Sequence, residues 1–414
     1  MQKTYRVGGC IRDRLLNLPI KDEDWVKTGT TPEEMQSQGF LPIGKDFPVF
    51  LHPDSKQEYA LARTERKTSP GYTGFQFNTN PSITIEQDLL RRDLTINAIA
   101  ENEQGKLIDP YGGQQDIHDR ILRHVSPAFS EDPVRVLRVA RFAARFHHLG
   151  FKLAAETREL IKDMGGSGEL DSLVAERVWQ EMQKALGENN PQVFFELLRE
   201  CDVLQVLFPE IDQLFGVPQP AKHHPEIDTG IHVMMALEKS AQLGFDTEIR
   251  FAVLMHDLGK ANTPKDILPS HHGHEERGVK KVKRFCKNWR SPKTYTELAL
   301  ITCQFHTHIH RIFELKASTL LKLLSQTDYF RRPERFIKMT KACKADSQGR
   351  LGHENKPYPQ AEYACLIAKE IKGLDLSKLH QKYLGKDLGE QIYQFRLSHL
   401  KQLQQKLTPQ FSAI

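Results

Sequence analysis

The chain has 414 residues, 39% hydrophobic and 27% charged. That length holds about two to four compact units with sizeable cores, and no apolar run approaches the length needed to cross a bilayer, so the reading is a cytoplasmic protein with no membrane association. The net charge of +5, from 58 basic against 53 acidic side chains, is too mild to demand a nucleic-acid partner. It allows one where basic residues cluster, as in RGVKKVKRFCKNWRSPK at 277–293. MQKTYRVGG at the start lacks a secretory signature. The six cysteines lack CxxC spacing, which excludes a zinc ribbon or disulfide framework and leaves isolated thiols.

The first 125 or so residues mix strand and helix signals. KTYRVGG reads as a strand entering a turn and CIRDRLLN as a helix start; EDWVK, FPVFLHP and QEYALAR read as short strands. From Asp132 onward the apolar spacing is helical: DPVRVLRVARFAARFHHL, AAETRELIKDM, LVAERVWQEMQKAL and PQVFFELLREC, and later QFRLSHLKQLQQKL. NNP (189–191) and GVPQP (216–220) are turn signals. The expected fold class is α+β: a mixed-sheet domain followed by an all-helical body, divided at 1–125, 126–220, 221–330 and 331–414.

Chemistry concentrates first in VGGCIRDRLLNLPIKDEDW (7–25). There is no GxxxxGK[ST] loop. Asp22 and Asp24 stand two apart in a segment that reads as a strand, which puts both carboxylates on one face. Such a pair suits Mg²⁺, with substrate phosphates and water filling the shell. With two ions about 3.5–4 Å apart, one activates a hydroxyl while the other neutralises leaving pyrophosphate. Glu58 is a candidate third carboxylate. Gly8 and Gly9 at a strand-to-helix turn let backbone approach a triphosphate, and Arg12 can pair with its oxygens. A polar surface turn is the plainer reading of KDED alone.

GGCIRD followed by DED resembles the nucleotidyltransferase signature of the polymerase β-like superfamily. RRDLTINAIA (91–100), DPYGGQQDI (109–117), EDPVRVLRVARFAARF (131–146) and ERVWQEMQKAL (176–186) follow in the order of the motifs of bacterial class II tRNA nucleotidyltransferases, the CCA-adding enzymes. KDEDW, GKDFPVFLHP and EYALARTERK are similar to the multifunctional γ-proteobacterial type. Cys10 stands where that family usually has alanine. The resemblance implies a polymerase β-like head over 1–125, a helical neck over 126–220 with base reading and tRNA contacts, and catalysis by Asp22 and Asp24. Gly9, Arg12 and Arg92 would bind the nucleotide. RRDLTINA, if helical, places Arg92, Asp93 and Asn97 within about one and a half turns, and in the family this motif lies beside the sugar. Asp132, Arg135, Arg138 and Arg141 recur every three residues; Asp and Arg offer acceptors and a donor fork that can match a base edge. By resemblance Asp132 and Arg135 read CTP or ATP without a template, while Arg138 and Arg141 bind the nucleotide further along.

Many of the eighteen histidines fall between 223 and 310. Isolated histidines are usually core or surface residues. Here KHHPEIDTGIH, MHDLGK, HHGHEERG and QFHTHIH surround one His-Asp pair, and the pattern resembles the HD phosphohydrolase superfamily; HEERG lacks the second histidine of a zincin motif. The core metal ligands are read as His232, His256, Asp257 and Asp328, with Asp346 the rival to Asp328 and His274 and His306 as additional ligands. Imidazole with carboxylate suits a divalent transition metal, Ni²⁺ or similar. The resemblance implies an HD domain at 221–330 with 2′,3′-cyclic phosphodiesterase, 2′-nucleotidase and phosphatase activity, and a helical tail at 331–414. Thr307 stands where relatives often carry an aspartate.

The expected function is template-independent addition and repair of the 3′ CCA of tRNA from CTP and ATP, with release of pyrophosphate. The partners are tRNA, CTP and ATP, and the state is a monomer or a homodimer. A bacterial poly(A) polymerase shares the head motifs, but usually with a longer basic extension than TPQFSAI. An HD phosphohydrolase whose inactive head only binds RNA is the alternative from another class.

Overall fold

The computed structural model describes residues 1–413 apart from 21, 44–48, 68–74 and 223, together with the side chains of all of these but 65–67 and 75–77. Lys21 of KDEDW, the GKDFP of GKDFPVFLHP and His223 therefore lie outside the described residues, as do the side chains that end EYALARTERK. The chain packs into two compact units: Met1–Ala185 with Val193–Leu207, and Leu186–Gln192 with Phe208–Ile414.

The first unit is built on β1 (Lys3–Val7), β2 (Asp24–Thr28), β3 (Leu41–Ile43), β4 (Val49–Leu51), β5 (Glu58–Leu61), β6 (Thr64–Lys67), β7 (Phe75–Asn78), β8 (Ala100–Asn102) and β9 (Leu107–Ile108). Seven of these form one mixed sheet in the order β3-β4-β5-β2-β1-β8-β9, and β6 pairs separately with β7. β2 runs parallel to β5 and antiparallel to β1. Alternation lets the two faces of β2 differ. Val26 joins Tyr5, Val7 and Ala100 in a core closed by Ile85 and Leu89, while Trp25 stacks on Tyr59 with ring centroids 5.6 Å apart. The register pairs Val7 with Asp24, so the end of β1 and the start of β2 arrive side by side. Asp22 precedes the strand rather than lying in it, so the expected two-carboxylate strand face holds only Asp24.

The helix Ile85–Leu90 forms, started by a Thr84–Gln87 capping box. RRDLTINA does not continue it: Leu94 is extended, and only a short 3₁₀ turn spans Thr95–Asn97. The cause is local. The Asp93 carboxylate accepts the N–H of Leu94, which competes with helix formation. Beyond the sheet, helices run over Val134–Phe146, Ala155–Gly166, Ala175–Gly187 and Gln192–Glu200, as the apolar spacing requires. The first of these is enclosed on nearly every side, with Val136, Leu137, Val139, Ala140 and Ala144 fully buried.

The second unit is helical. Thr229–Gln242 and Thr247–Met255 are started by Asp228 and Asp246, whose side chains accept backbone N–H groups of the first turn. His274–Asn288, Lys293–His310, Ala317–Gln326, Pro333–Gln348, Pro359–Lys372 and Gly385–Ser412 follow. Phe336, Met339, Leu320, Leu324, Tyr363 and Ile367 belong to one buried cluster. Among the described residues no helix is long and apolar enough to cross a membrane. Gly349, just beyond Pro333–Gln348, lies against Thr229–Gln242: a Cβ there would stand 2.4 Å from the Cα of Ala236. Gly349→Ala is therefore expected to lower stability by about 1–3 kcal/mol through overpacking, read as a reduced urea midpoint; an unchanged midpoint would mean the two helices can separate without cost.

Candidate functional site

In the first unit, a cleft of about 600 Å³ is lined by Gly8, Gly9, Arg12, Asp24, Arg92, Asp93, Asn97 and Asp132 with Arg135, Arg138 and Arg141. It therefore gathers every nucleotide-binding residue expected from the sequence. Gly8 makes the turn out of β1 at φ +73°, where an L side chain is strained. A Cβ on it would also meet Nη1 of Arg92 at 2.7 Å. Asp24 opens onto the cleft. Partial burial pushes its carboxyl up; Arg92 opposes this, and the charge of neighbouring Asp22 adds to it. Asp22 itself is exposed, and neither it nor Glu58 is among the residues lining the cleft.

The arginines are held before any ligand arrives. Arg12 is buried, paired with Asp13 at 2.7 Å, bonded to Oδ1 of Asn97, and flanked by the rings of Phe142 and Phe146, each 5.1 Å from its Cζ. Arg92 reaches the buried Asp88 at 3.2 Å. Arg135 donates to the backbone oxygens of Ala128 and Arg91, both at 2.6 Å. Arg138 pairs with Asp93 at 2.7 Å and Arg141 with Glu181 at 2.6 Å. Asp132 accepts two bonds from Arg177, at 3.1 and 2.8 Å. Burial alone would raise the Asp93 carboxyl; Arg138, Asn97 and the Leu94 N–H overcome it and hold it far below the usual range. Arg63, Arg91, Arg145 and Arg177 also line the cleft and were absent from the expected set, although Arg91 and Arg177 lie inside RRDLTINA and ERVWQEMQKAL.

The second unit brings the HD residues together around a cleft of about 610 Å³. His232 comes from Thr229–Gln242, His256 and Asp257 from the end of Thr247–Met255, and Asp346 from Pro333–Gln348. His232 Nε2 lies 2.9 Å from Asp346 Oδ1, and His256 Nε2 lies 3.1 Å from Asp257 and 3.6 Å from Asp346. His274 and His306 stand 3.4 and 3.5 Å from Asp257 Oδ1. Ligand-bearing atoms of His232, His256 and Asp346, and of His256, Asp257 and His306, are close enough to share an ion.

Asp328 is a correction. It lies outside this cluster, at a turn where it pairs with Arg331 at 2.7 Å and sits within 3.8 Å of Arg332 and Arg335. Asp346 takes the place expected of it, because the far end of Pro333–Gln348, not its start, approaches His232. Lys260, 2.6 Å from Asp257, was missed, though it follows directly in MHDLGK. His310 was missed as well: it pairs with Asp346 at 2.6 Å and accepts or donates to the Tyr358 hydroxyl at 2.8 Å. Thr307, at the unusual position, donates to Glu275 at 2.8 Å.

Both sites fit cations. Neither Asp257 oxygen, nor Nε2 of His256, has a hydrogen bond of good geometry among the described residues, although all three are buried. Burial would lower the His256 pKa, but Asp257 and Asp346 raise it to about 9; the two buried carboxylates thus favour positive charge beside them. Nitrogen and carboxylate donors suit a divalent transition metal. In the head, the oxygens of Asp24 and Asp22 are hard donors, and a cation would relieve the repulsion between them.

Residues 4–123 match the family model described as the poly A polymerase head domain, 150–215 the probable RNA and SrmB-binding site of polymerase A, and 229–332 the HD domain. The chain is 55% identical over 408 residues to the multifunctional CCA protein of Teredinibacter turnerae, covering 98% of this chain and 99% of that one. The chain belongs to the multifunctional CCA protein family. It is 56% identical to the family member from Thioalkalivibrio sulfidiphilus, over 97% of this chain and 98% of that one. Its fold is similar to that of a CCA-adding enzyme of Bacillus stearothermophilus solved with CTP, at TM-score 0.63 and 23% identity, covering 100% of this chain and 95% of that one. This chain thus carries a polymerase-type head before an HD domain, and both domain types are metal-dependent.

The Asp93–Arg138 pair makes the head site sensitive to a change that leaves shape almost untouched. Asp93→Asn places an amide donor against the guanidinium and removes the balancing charge. At neutral pH it is expected to cost about 3 kcal/mol, as for a buried pair that loses one partner. The Asp93 carboxyl titrates lower in the folded than in the unfolded chain, so its contribution is present above the unfolded pKa of about 4 and is lost as pH falls toward the folded value. Urea midpoints of wild type and variant should therefore differ at pH 7 and draw together progressively only as pH falls below about 4; equal midpoints at pH 7 would show that the pair contributes nothing.

Proposed function

We propose that this chain adds and repairs the 3′-terminal CCA of tRNA from CTP and ATP without a template, and that its HD domain hydrolyses phosphoesters. Family membership supports the enzyme class. The observation that carries the chemistry is the convergence, in one cleft, of Asp24, the Gly8–Gly9 turn, Arg12 and Arg92 with the Asp132–Arg135 pair. The fold-related enzyme solved with CTP agrees with this reading. The curated relatives favour it over a poly(A) polymerase.

Asp22 and Asp24 are the residues that would hold Mg²⁺, which when bound supplies a Lewis acid for the attacking hydroxyl and the departing pyrophosphate. Gly9 lets the triphosphate lie close to the backbone, and Arg12 and Arg92 balance its charge. The 3′ oxygen of the RNA bonds to the α-phosphorus, the bond to the bridging oxygen of the β-phosphate breaks, and the hydroxyl proton leaves to solvent. Asp132 offers acceptors and Arg135 donors to the base edge, so the protein stands where a template strand would. Arg138 and Arg141 line the same wall. Held rigidly by Arg177 and by two carbonyl oxygens, the reading pair loses little freedom on binding.

In the second unit His232, His256, Asp257 and Asp346 would hold a divalent transition metal such as Ni²⁺, with His274 and His306 as additional donors, and that ion supplies the Lewis acidity for hydrolysis. Lys260 and Arg350 bring positive charge to the cleft, which suits an anionic phosphoester. The expected activities are 2′,3′-cyclic phosphodiesterase, 2′-nucleotidase and phosphatase.

Asp24→Ala and Asp22→Ala should each reduce incorporation of labelled CMP into tRNA lacking CCA by about a thousandfold, a loss of several kcal/mol of charge stabilisation, while the circular dichroism spectrum is unchanged; retained incorporation would rule out the metal role. With CTP alone, wild type should add two cytidines and stop. Asp132→Ala should blur the choice among CTP, ATP, GTP and UTP more than it weakens tRNA binding, and an unchanged preference would count against base reading. His256→Ala should abolish phosphatase activity and leave CCA addition intact.

A further inference from the structure

KHHPEIDTGIH contains an acidic residue beyond the His256–Asp257–Asp346 centre, and its carboxylate with nitrogens of His224 and His232 forms a third group of ligand atoms close enough to share an ion. The Glu226 side chain is buried, at 3% exposure. Its Oε1 accepts from His224 Nδ1 at 3.0 Å and lies 2.9 Å from His232 Nδ1, close but off the line of a good hydrogen bond. Its Oε2 lies 3.3 Å from the Leu351 N–H, just past the helix that carries Asp346. The aim of the side chain is set by a tight turn: Ile227 has φ +60°, the Ile227 N–H bonds back to His224, and the Asp228 N–H bonds to the Glu226 carbonyl. One carboxylate thus touches two imidazoles and the backbone beyond Asp346.

A neutral imidazole has one N–H and one lone pair, and the nitrogen beside a carboxylate keeps the N–H. His232 lies between Glu226 on Nδ1 and Asp346 on Nε2; a neutral ring cannot donate to both. The Nε2–Asp346 contact has hydrogen-bond geometry and the Nδ1–Glu226 contact does not; a cation held by Nε2 would take the place of that bond and leave the N–H on Nδ1, facing Glu226. His224 is constrained the same way, and it lines the cleft. We propose that Glu226 is a positioning residue of the HD site: it sets the tautomer of His232 for metal binding and presents Nε2 of His224 to the cleft. This rests on the metal-dependent reading of that site.

The test uses the full chain and Co²⁺, followed by its visible absorption. Glu226→Ala should weaken Co²⁺ binding by about 10–100-fold, the effect typical of losing a carboxylate behind a metal-bound histidine. Glu226→Gln keeps the shape and one acceptor oxygen and should fall between Ala and wild type; it carries the test if Ala does not fold. CCA addition by the head should be unchanged in both, and the urea midpoint of the Gln variant should match wild type. A folded Gln variant that binds Co²⁺ as tightly as wild type, while His256→Ala abolishes binding, overturns the role of Glu226 alone. Absence of Co²⁺ binding by wild type overturns the metal reading and this inference with it.

Discussion

Carboxylates, three of the four buried, hold the arginines of the first cleft. Asp13, Asp93, Asp132 and Glu181 each fix a guanidinium, through Arg145, Arg138, Arg177 and Arg141 respectively. Unpaired, so many cations on one wall would repel one another. Paired, each cation is set in one orientation, and the wall stays cationic because the arginines outnumber the carboxylates in the lining. A triphosphate then meets charge already in place rather than charge that has to be gathered from flexible side chains.

The second unit inverts this arrangement. There the anions converge: Asp257 and Asp346 face the same histidines, and the only nearby cations from side chains are Lys260 at 2.6 Å from Asp257 and Arg350 at 3.6 Å from Asp346 among the described ion pairs, besides whatever charge the imidazoles carry. The first site is a cationic wall awaiting an anion, the second an anionic centre awaiting a cation. Two phosphate chemistries in one chain thus rest on opposite electrostatics.

Much of this was legible because the signals are local. Gly8-Gly9 before a helix, Asp24 at the head of a strand, the three-residue spacing from Asp132 to Arg141 and the adjacent His256-Asp257 are each written within a dozen residues. Choosing between Asp328 and Asp346 was not, because both are aspartates with comparable polar neighbours in sequence, one just after the helix Ala317–Gln326 and the other near the end of Pro333–Gln348. The choice is made by Gly349, which has no Cβ to keep the end of its helix from Ala236, more than a hundred residues earlier. RRDLTINA misled for a different reason. Its spacing fits a helix, but Asp93 takes a backbone N–H with one oxygen and Arg138 with the other, and such side-chain competition leaves no mark on periodicity. Glu226 was hidden in the same way: its two histidines are near in sequence, yet its value comes from the turn at Ile227.

The pairing of Val7 with Asp24 has a consequence for how this head can vary. The turn glycine and the carboxylate are fixed to each other through neighbouring strands, not through the segment that joins them. Residues gained or lost between Leu16 and Ile20 would change the length of the connection while Asp22 keeps its place two residues before Asp24. A single residue gained inside β1 or β2 would rotate Asp24 to the opposite face of the sheet and carry Gly8 out of line with it. Length variation among such heads should therefore be confined to the connection before Asp22 and forbidden within the strands, the Gly8 turn and the Gly9–Leu15 helix.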